Sequence, residues 1–307
     1  MSDIKTLIAN ERKALMQLMD SENYKIPSRK INENLIIATW NIQHFSNNKT
    51  KRALQYIADI CERFDIIALQ EVKTDLRGLS KLQNLLPGNY KILVSDPTGN
   101  HERFAFLYDK RTAIPSGLVC EIGFPIKAKT HQGYQLHRMP YCASFKAGRF
   151  DFVIASAHIY YGKTKEEKKE RKKEIETLAK YIYKRSKTNQ NKVFDRDFFI
   201  VGDFNIEEYG DKFFTALESN GFKMPEKMNN LKTNFLRNAT YDKIAWVERD
   251  SFQFTGNSNV VPFGEVLFQD QSPKGGKSQI SDHLPVWAEF DINRLSQELD
   301  QVINRRM

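Results

Sequence analysis

The stretch "FIVGDFNIEE", Phe199 to Glu208, sets Asp203 and Asn205 two residues apart at the end of a short apolar run. Such a run, too short for a helix and bounded by polar residues, reads as a buried strand. Side chains two apart on a strand leave the same face, so both would project together where the strand emerges from the core. A carboxylate beside an amide can position a metal, a water or a substrate oxygen. Gly, Asp and Asn also favour turns, and the surrounding sequence has to decide between these readings.

The same design recurs along the chain. "LIIATW" (Leu35–Trp40) delivers Asn41, "DIIALQ" (Asp65–Gln70) delivers Glu71, and "FDFVIASA" (Phe150–Ala157) delivers His158. "YKILVS" (Tyr90–Ser95) and "FAFLYD" (Phe104–Asp109) are further runs of this kind. In "ISDHLPVWAEF", Asp282 and His283 precede a strand instead of following one. Between the runs lie helical patterns, one with Leu54, Ile57, Ala58 and Cys61 on a face and another with Leu79, Leu82, Leu85 and Leu86 ended by Pro87. Ile4, Leu7, Ile8, Leu15, Leu18 and Met19 predict an amphipathic helix ahead of them. Strands and helices without strict alternation predict a layered α+β protein, its helices covering mixed or antiparallel sheets packed face to face.

At 307 residues and 40% hydrophobic, the chain can bury a sizeable core in one main domain. Lys and Arg number 47 against 38 Asp and Glu, a net charge of +9, which makes polyanions, nucleic acid first, attractive partners. The densest charge run, Gly162 to Lys187, keeps an apolar stripe of Ile175, Leu178, Ala179 and Ile182, so it reads as a docked helix with a basic, solvated face for phosphate contacts. Gln269 to Gln279, with Pro273, Gly275 and Gly276, reads as a flexible loop. Cys61, Cys120 and Cys142 lack the paired spacing of a zinc site or disulfide framework. With no signal-peptide pattern at the first residues and no apolar stretch of about 18 residues, the expectation is a cytoplasmic protein without a membrane span. Oxygen donors without thiolates favour a hard cation, Mg2+ first, with Mn2+ or Ca2+ as alternatives.

The segments "WNIQHF", "LQEVK", "SAHIYYG", "VGDFNIEE" and "SDHLPVW" occur in the order and spacing of the endonuclease/exonuclease/phosphatase superfamily, which the chain resembles from about residue 35 to 291. "HERFAFLYD" around Glu102, "HRMPYCASF" around Arg138 and "ATYDKIAW" around Asp242 look like its deoxyribonuclease I branch. The "WCDRIL" of inositol phosphatases is replaced by "TYDKIA". The resemblance implies a four-layered α/β/β/α sandwich with the site at one sheet edge. It implies an N-terminal helical extension over residues 1–30, a catalytic domain over 31–293 and a tail over 294–307.

By the same resemblance, Glu71 binds the divalent metal with help from Asn41 and Asp282. Asp242 would orient His283, which acts as or positions a base. Glu102 would orient His158, which protonates the leaving oxygen or stabilises charge. Asp203 shares water activation, Asn205 and Arg138 donate to phosphate, and Lys73 is a backbone contact. The activity implied is cleavage of double-stranded DNA through its phosphate backbone, with low sequence specificity. A phosphatase or phospholipid phosphodiesterase on the same scaffold is the alternative. Deoxyribonuclease I relatives often carry arginine at the positions of Gln43 and Lys73 and tyrosine at that of Asn100, so the groove contacts differ here. His44, His101, His131 and His137 are read as loop or surface residues.

Overall fold

The computed structural model describes residues 2–124, 135–187, 197–271, 274–293 and 303. Lys127, Lys129 and His131 lie outside them, as does the tail 294–307 apart from residue 303. Eleven strands among the described residues form two sheets. In chain order they are β1 (Asn34–Phe45), β2 (Ile66–Lys73), β3 (Tyr90–Val94), β4 (Glu102–Asp109), β5 (Ile114–Glu121), β6 (Tyr141–Ala147), β7 (Phe150–His158), β8 (Phe198–Asp203), β9 (Asp242–Trp246), β10 (Gln253–Val260) and β11 (Val286–Asp291). The first sheet has the order β10-β11-β1-β2-β4-β3 and the second β5-β6-β7-β8-β9. One parallel pair lies inside each sheet, β1 with β2 and β7 with β8, and the other pairings are antiparallel.

The strands read as continuous apolar runs because both of their faces are buried. In β7, Phe152 and Ile154 turn towards the other sheet, while Val153 and Ala155 turn towards helices α4 (Lys165–Lys187) and α5 (Lys212–Glu218). Between the sheets, Phe199 packs edge-on against Phe290 with ring centroids 5.0 Å apart, and Trp246 meets Phe290 at the same distance. Helices α2 (Lys51–Cys61) and α3 (Arg77–Leu85) cover the outer side of the first sheet. The expected α/β/β/α sandwich is the fold observed.

Helix α1 (Ser2–Asp20) buries Leu15 and Met19 in the same core as the first sheet. Its Glu11 is also buried, accepting from Arg52 Nε at 2.9 Å, from the backbone N–H of Phe268 at 2.6 Å and from the Tyr56 hydroxyl. Arg12 pairs with Asp59 of α2 at 2.7 Å. Removing one partner of a buried ionic network strands the others, so Glu11→Ala is expected to destabilise the fold by about 3 kcal/mol. The check is the midpoint of thermal unfolding; an unshifted midpoint would show that the helix merely rests on the surface.

One local expectation fails. Gly275–Gln279 is a short helix, not a flexible loop. A Cβ on Gly275 would lie 2.7 Å from the carbonyl oxygen of Phe268, so this glycine permits a close approach of backbone to backbone.

Candidate active site

The site lies where the parallel pairs of the two sheets end together. Asn41 sits opposite Gln70 in the β1–β2 pairing, and His158 opposite Asp203 in the β7–β8 pairing. Asp242 opens β9 directly opposite Asp203. Gly202, at φ +131°, lets β8 approach β7 so closely that a Cβ there would fall 1.9 Å from the carbonyl oxygen of Ala157. Beyond Asn41 and Leu69 the β1 and β2 registers slip, and Gln43, His44 and Glu71 all take positive φ. Bulges and left-handed residues of this kind re-aim side chains at the ends of strands.

Asp203 occupies the centre. Its Oδ2 lies 3.6 Å from His158 Nε2 and 3.7 Å from His283 Nε2, and accepts from Asn41 Nδ2 at 3.1 Å. Asn41 Nδ2 also reaches Glu71 Oε1 at 3.0 Å. His283 Nδ1 meets Asp242 Oδ2 at 2.8 Å. The segment carrying His283 is tied to β1 twice: Trp40 Nε1 donates to its carbonyl at 3.0 Å, and Ser281 Oγ donates to the Asn41 carbonyl at 2.7 Å. Beneath the site, Gln70 Nε2 of the first sheet donates to Ser156 Oγ of the second at 2.9 Å and to Thr39 Oγ1 at 3.1 Å.

The two imidazoles are driven in opposite directions. Burial would pull the His283 pKa down, but the carboxylates of Asp242 and Asp203 outweigh it and hold the ring cationic, with a pKa of about 10. His158 is pushed well below the ordinary histidine value by burial, reinforced by Arg138, His283 and Lys73, and is neutral. Burial raises the Asp203 carboxyl.

Several expectations need correction. Asp203 and Asn205 do not project side by side, because β8 stops at Asp203 and Asn205 turns to φ +52°. The Asn205 N–H donates to Asp203 Oδ1 at 2.9 Å, and its side-chain amide donates to the carbonyl of Ile159 at 2.7 Å, so the turn and the functional site coincide. Glu102 does not hydrogen-bond His158: the gap to Nδ1 is 3.7 Å and Nδ1 is buried without a partner. Arg138 and Lys73 each hold that carboxylate at 3.1 Å instead. Both expected phosphate contacts thus stand beside His158 as a cationic pair compensated by one acid. Asp282 is half-buried and belongs to neither cluster of three or more potential metal-binding acidic, histidine or cysteine side chains among the described residues. It still lies close enough to Lys49, as does Glu71, to offset the burial that lowers the Lys49 pKa to about 8.

Four residues escaped the sequence reading. His44 stands against Glu71, with Nδ1 3.2 Å from Oε2. Lys49 donates to the Ile280 carbonyl on the Asp282 side of the site. Arg171 of α4, fully buried, donates to the carbonyls of Tyr161, Asn205 at 2.7 Å and Gly162 at 2.8 Å, pinning the loops that follow β7 and β8. Glu174 does the same for the N–H groups of His137 and Tyr160 at 2.6 and 2.9 Å. The helix read as a solvated basic face therefore has an inward charged face as well. No local pattern in the lysine-rich run separates these two from their neighbours.

The Thioalkalivibrio sp. (strain K90mix) protein named deoxyribonuclease is 28% identical to this chain over 276 residues, covering 85% of this chain and 72% of that one. Endonuclease/exonuclease/phosphatase family domain-containing protein 1 of Xenopus laevis is 27% identical over 293 residues, covering 85% of this chain; the chain spans 50% of that relative's length. A solved mannosyl-6-phosphatase from Bacteroides thetaiotaomicron has the same fold, with a TM-score of 0.58 at 17% identity over 83% of this chain and 99% of that one. Residues 38–221, the span running from the strand of Asn41 through His158 and Asp203, match the endonuclease/exonuclease/phosphatase family, so this chain belongs to that family and is a phosphoester hydrolase.

Proposed function

We propose that this hydrolase is a divalent-metal-dependent phosphodiesterase that cleaves DNA with little sequence preference. The observation that carries the reading is one buried carboxylate oxygen of Asp203 held 3.6 and 3.7 Å from two imidazoles of opposite charge state. Phosphodiester hydrolysis needs a proton removed from water, charge neutralised at phosphorus and a proton given to the leaving oxygen. His158, neutral, and Asp203 are placed to take the first proton. His283, cationic beside Asp242, is placed to neutralise the phosphorane-like charge and protonate the leaving oxygen. This exchanges the roles assigned from sequence: Asp242 and Asp203 keep His283 cationic, while burial, reinforced by Arg138, His283 and Lys73, keeps His158 neutral although Asp203 and Glu102 lie within 3.7 Å of it.

Arg138 and Lys73 add positive charge on the His158 side, where a phosphate entering the site would exchange with Glu102 as their partner. Glu71 and Asn41, with Asp282 nearby, offer the oxygen donors that suit a hard cation. When bound there, such an ion supplies Lewis acidity to a nonbridging phosphate oxygen. DNA as the substrate is supported by the net charge of +9 and by the relative named deoxyribonuclease.

The test is to incubate the purified chain with supercoiled plasmid, linear duplex, RNA and inositol phosphates, in Mg2+, Mn2+ or chelator. Plasmid relaxation and linearisation, lost with chelator and in His158→Ala, is the expected result. Phosphate release from small phosphoesters with plasmid untouched would move the activity to a phosphatase. Binding to duplex DNA is expected to weaken ~1,000-fold between about 50 and 200 mM salt, as about six backbone contacts would produce. Salt-insensitive binding in a fluorescence anisotropy titration would count against backbone recognition.

A further inference from the structure

We propose that His44 is a ligand of the divalent metal, giving the centre one nitrogen donor beside the oxygens of Glu71 and Asn41. This rests on the metal-dependent reading above and adds a residue to it. The imidazole is 67% exposed, but its Nδ1 lies 3.2 Å from Glu71 Oε2. The backbone fixes the same pairing a second time, since the His44 N–H donates to that oxygen at 3.0 Å. Glu71 Oε1 is meanwhile held by Asn41 at 3.0 Å, so the carboxylate cannot swing away from the ring.

The local backbone costs energy to hold. Gln43 and His44 take φ of +39° and +51°, and Glu71 across the bulge takes +60°. For residues other than glycine this conformation persists only where surrounding structure enforces it, and it concentrates at functional sites. Here it swings the imidazole of β1 over the end of β2. Donor atoms of His44, Glu71 and Glu102 then fall within 4.8 Å of one another. Glu102 is already neutralised by Lys73 and Arg138, whereas Glu71 has His44 against it.

A cavity of about 430 Å³ opens beside the imidazole, lined by polar groups including Gln43, Asn48, Lys49 and Gln279. A nitrogen donor has a chemical consequence. Imidazole suits the later first-row metals, and affinity rises from Mn2+ to Co2+, whereas Mg2+ prefers oxygen and keeps several waters. The centre should therefore discriminate against Mg2+ more strongly than an all-oxygen site would.

The experiment uses the full chain stripped of metal, reloaded with Mn2+ and examined by electron spin-echo envelope modulation, with affinities for Mn2+, Co2+ and Mg2+ from calorimetry. Nitrogen modulation from a directly bound imidazole is expected in the parent protein and absent from His44→Asn, a substitution that tolerates positive φ; His44→Gly serves as the second variant. Losing a mere supporting partner typically weakens metal binding ~10-fold, so Co2+ affinity should fall by at least that factor, and Mg2+ affinity by less. Mn2+ binding that requires Glu71 but shows nitrogen modulation unchanged in His44→Asn would overturn the proposal while leaving the metal reading intact. Failure of the parent protein to bind any of the three ions would sink both.

Discussion

His283→Ala is expected to lower the rate of phosphodiester hydrolysis ~100- to 10,000-fold, the range typical of losing a general acid or base, in a chain that still folds but unfolds at a lower temperature than the parent because a buried ionic partner is gone. The ring's nearest polar partners are Asp242 at 2.8 Å and Asp203 at 3.7 Å, so its removal leaves two buried carboxylates without their shared cation. Both the proton for the leaving oxygen and the charge that meets the transition state disappear together. His158→Ala should fall in the same range for a different reason: it leaves Asp203 without the neutral imidazole 3.6 Å away. The two deficits should separate by leaving group. A substrate with an acidic leaving group, such as a nitrophenyl phosphodiester, needs little protonation and should rescue His283→Ala more than His158→Ala. Steady-state kinetics on both substrates is the measurement, and equal rescue of the two variants would reject the assignment of roles.

Glu71→Gln is expected to cost about 4 kcal/mol of transition-state stabilisation, or ~1,000-fold in rate, by weakening the hold on the divalent ion. Its side chain is only 15% exposed and already accepts from Asn41 and from the N–H of His44. Glutamine keeps the shape and removes the charge, so the fold should survive. Saturating Mn2+ should recover part of the lost rate, since a weakened site can be filled by mass action. Calorimetry showing undiminished Mn2+ affinity in Glu71→Gln would place the ion elsewhere.

Most inner strands were legible because both of their faces are apolar, and the runs ending at Asn41, Glu71, His158 and Asp203 pointed to one edge. The edge strand β3 was read too, from its apolar run, but the edge strands β5 and β10 were not. β5 carries Pro115 and Gly117 and is largely solvent-facing, and β10 alternates Thr255, Asn257 and Ser258 with little apolar character. An edge strand needs only one neighbour and often no buried face, so its sequence need not bear a run. Within the site, sequence order identified residue types but not their contacts. Glu102 belongs to Arg138 and Lys73 instead of to His158 because two long cations can reach it from neighbouring segments. His44, Lys49 and Arg171 act through backbone bulges and loop carbonyls, and no side-chain pattern records those.

The Gln70 bridge to Ser156 and the paired strand ends have a consequence for how the chain comes into being. Glu71 and Asn41 stand on one sheet, His158 and Asp203 on the other, and His283 arrives just ahead of β11, the last described strand, which slots between β10 and β1. A ribosome-bound chain lacking that strand holds no complete cutting centre, however well its earlier parts have collapsed. On the roles proposed for these residues, the site is complete only once that strand has docked.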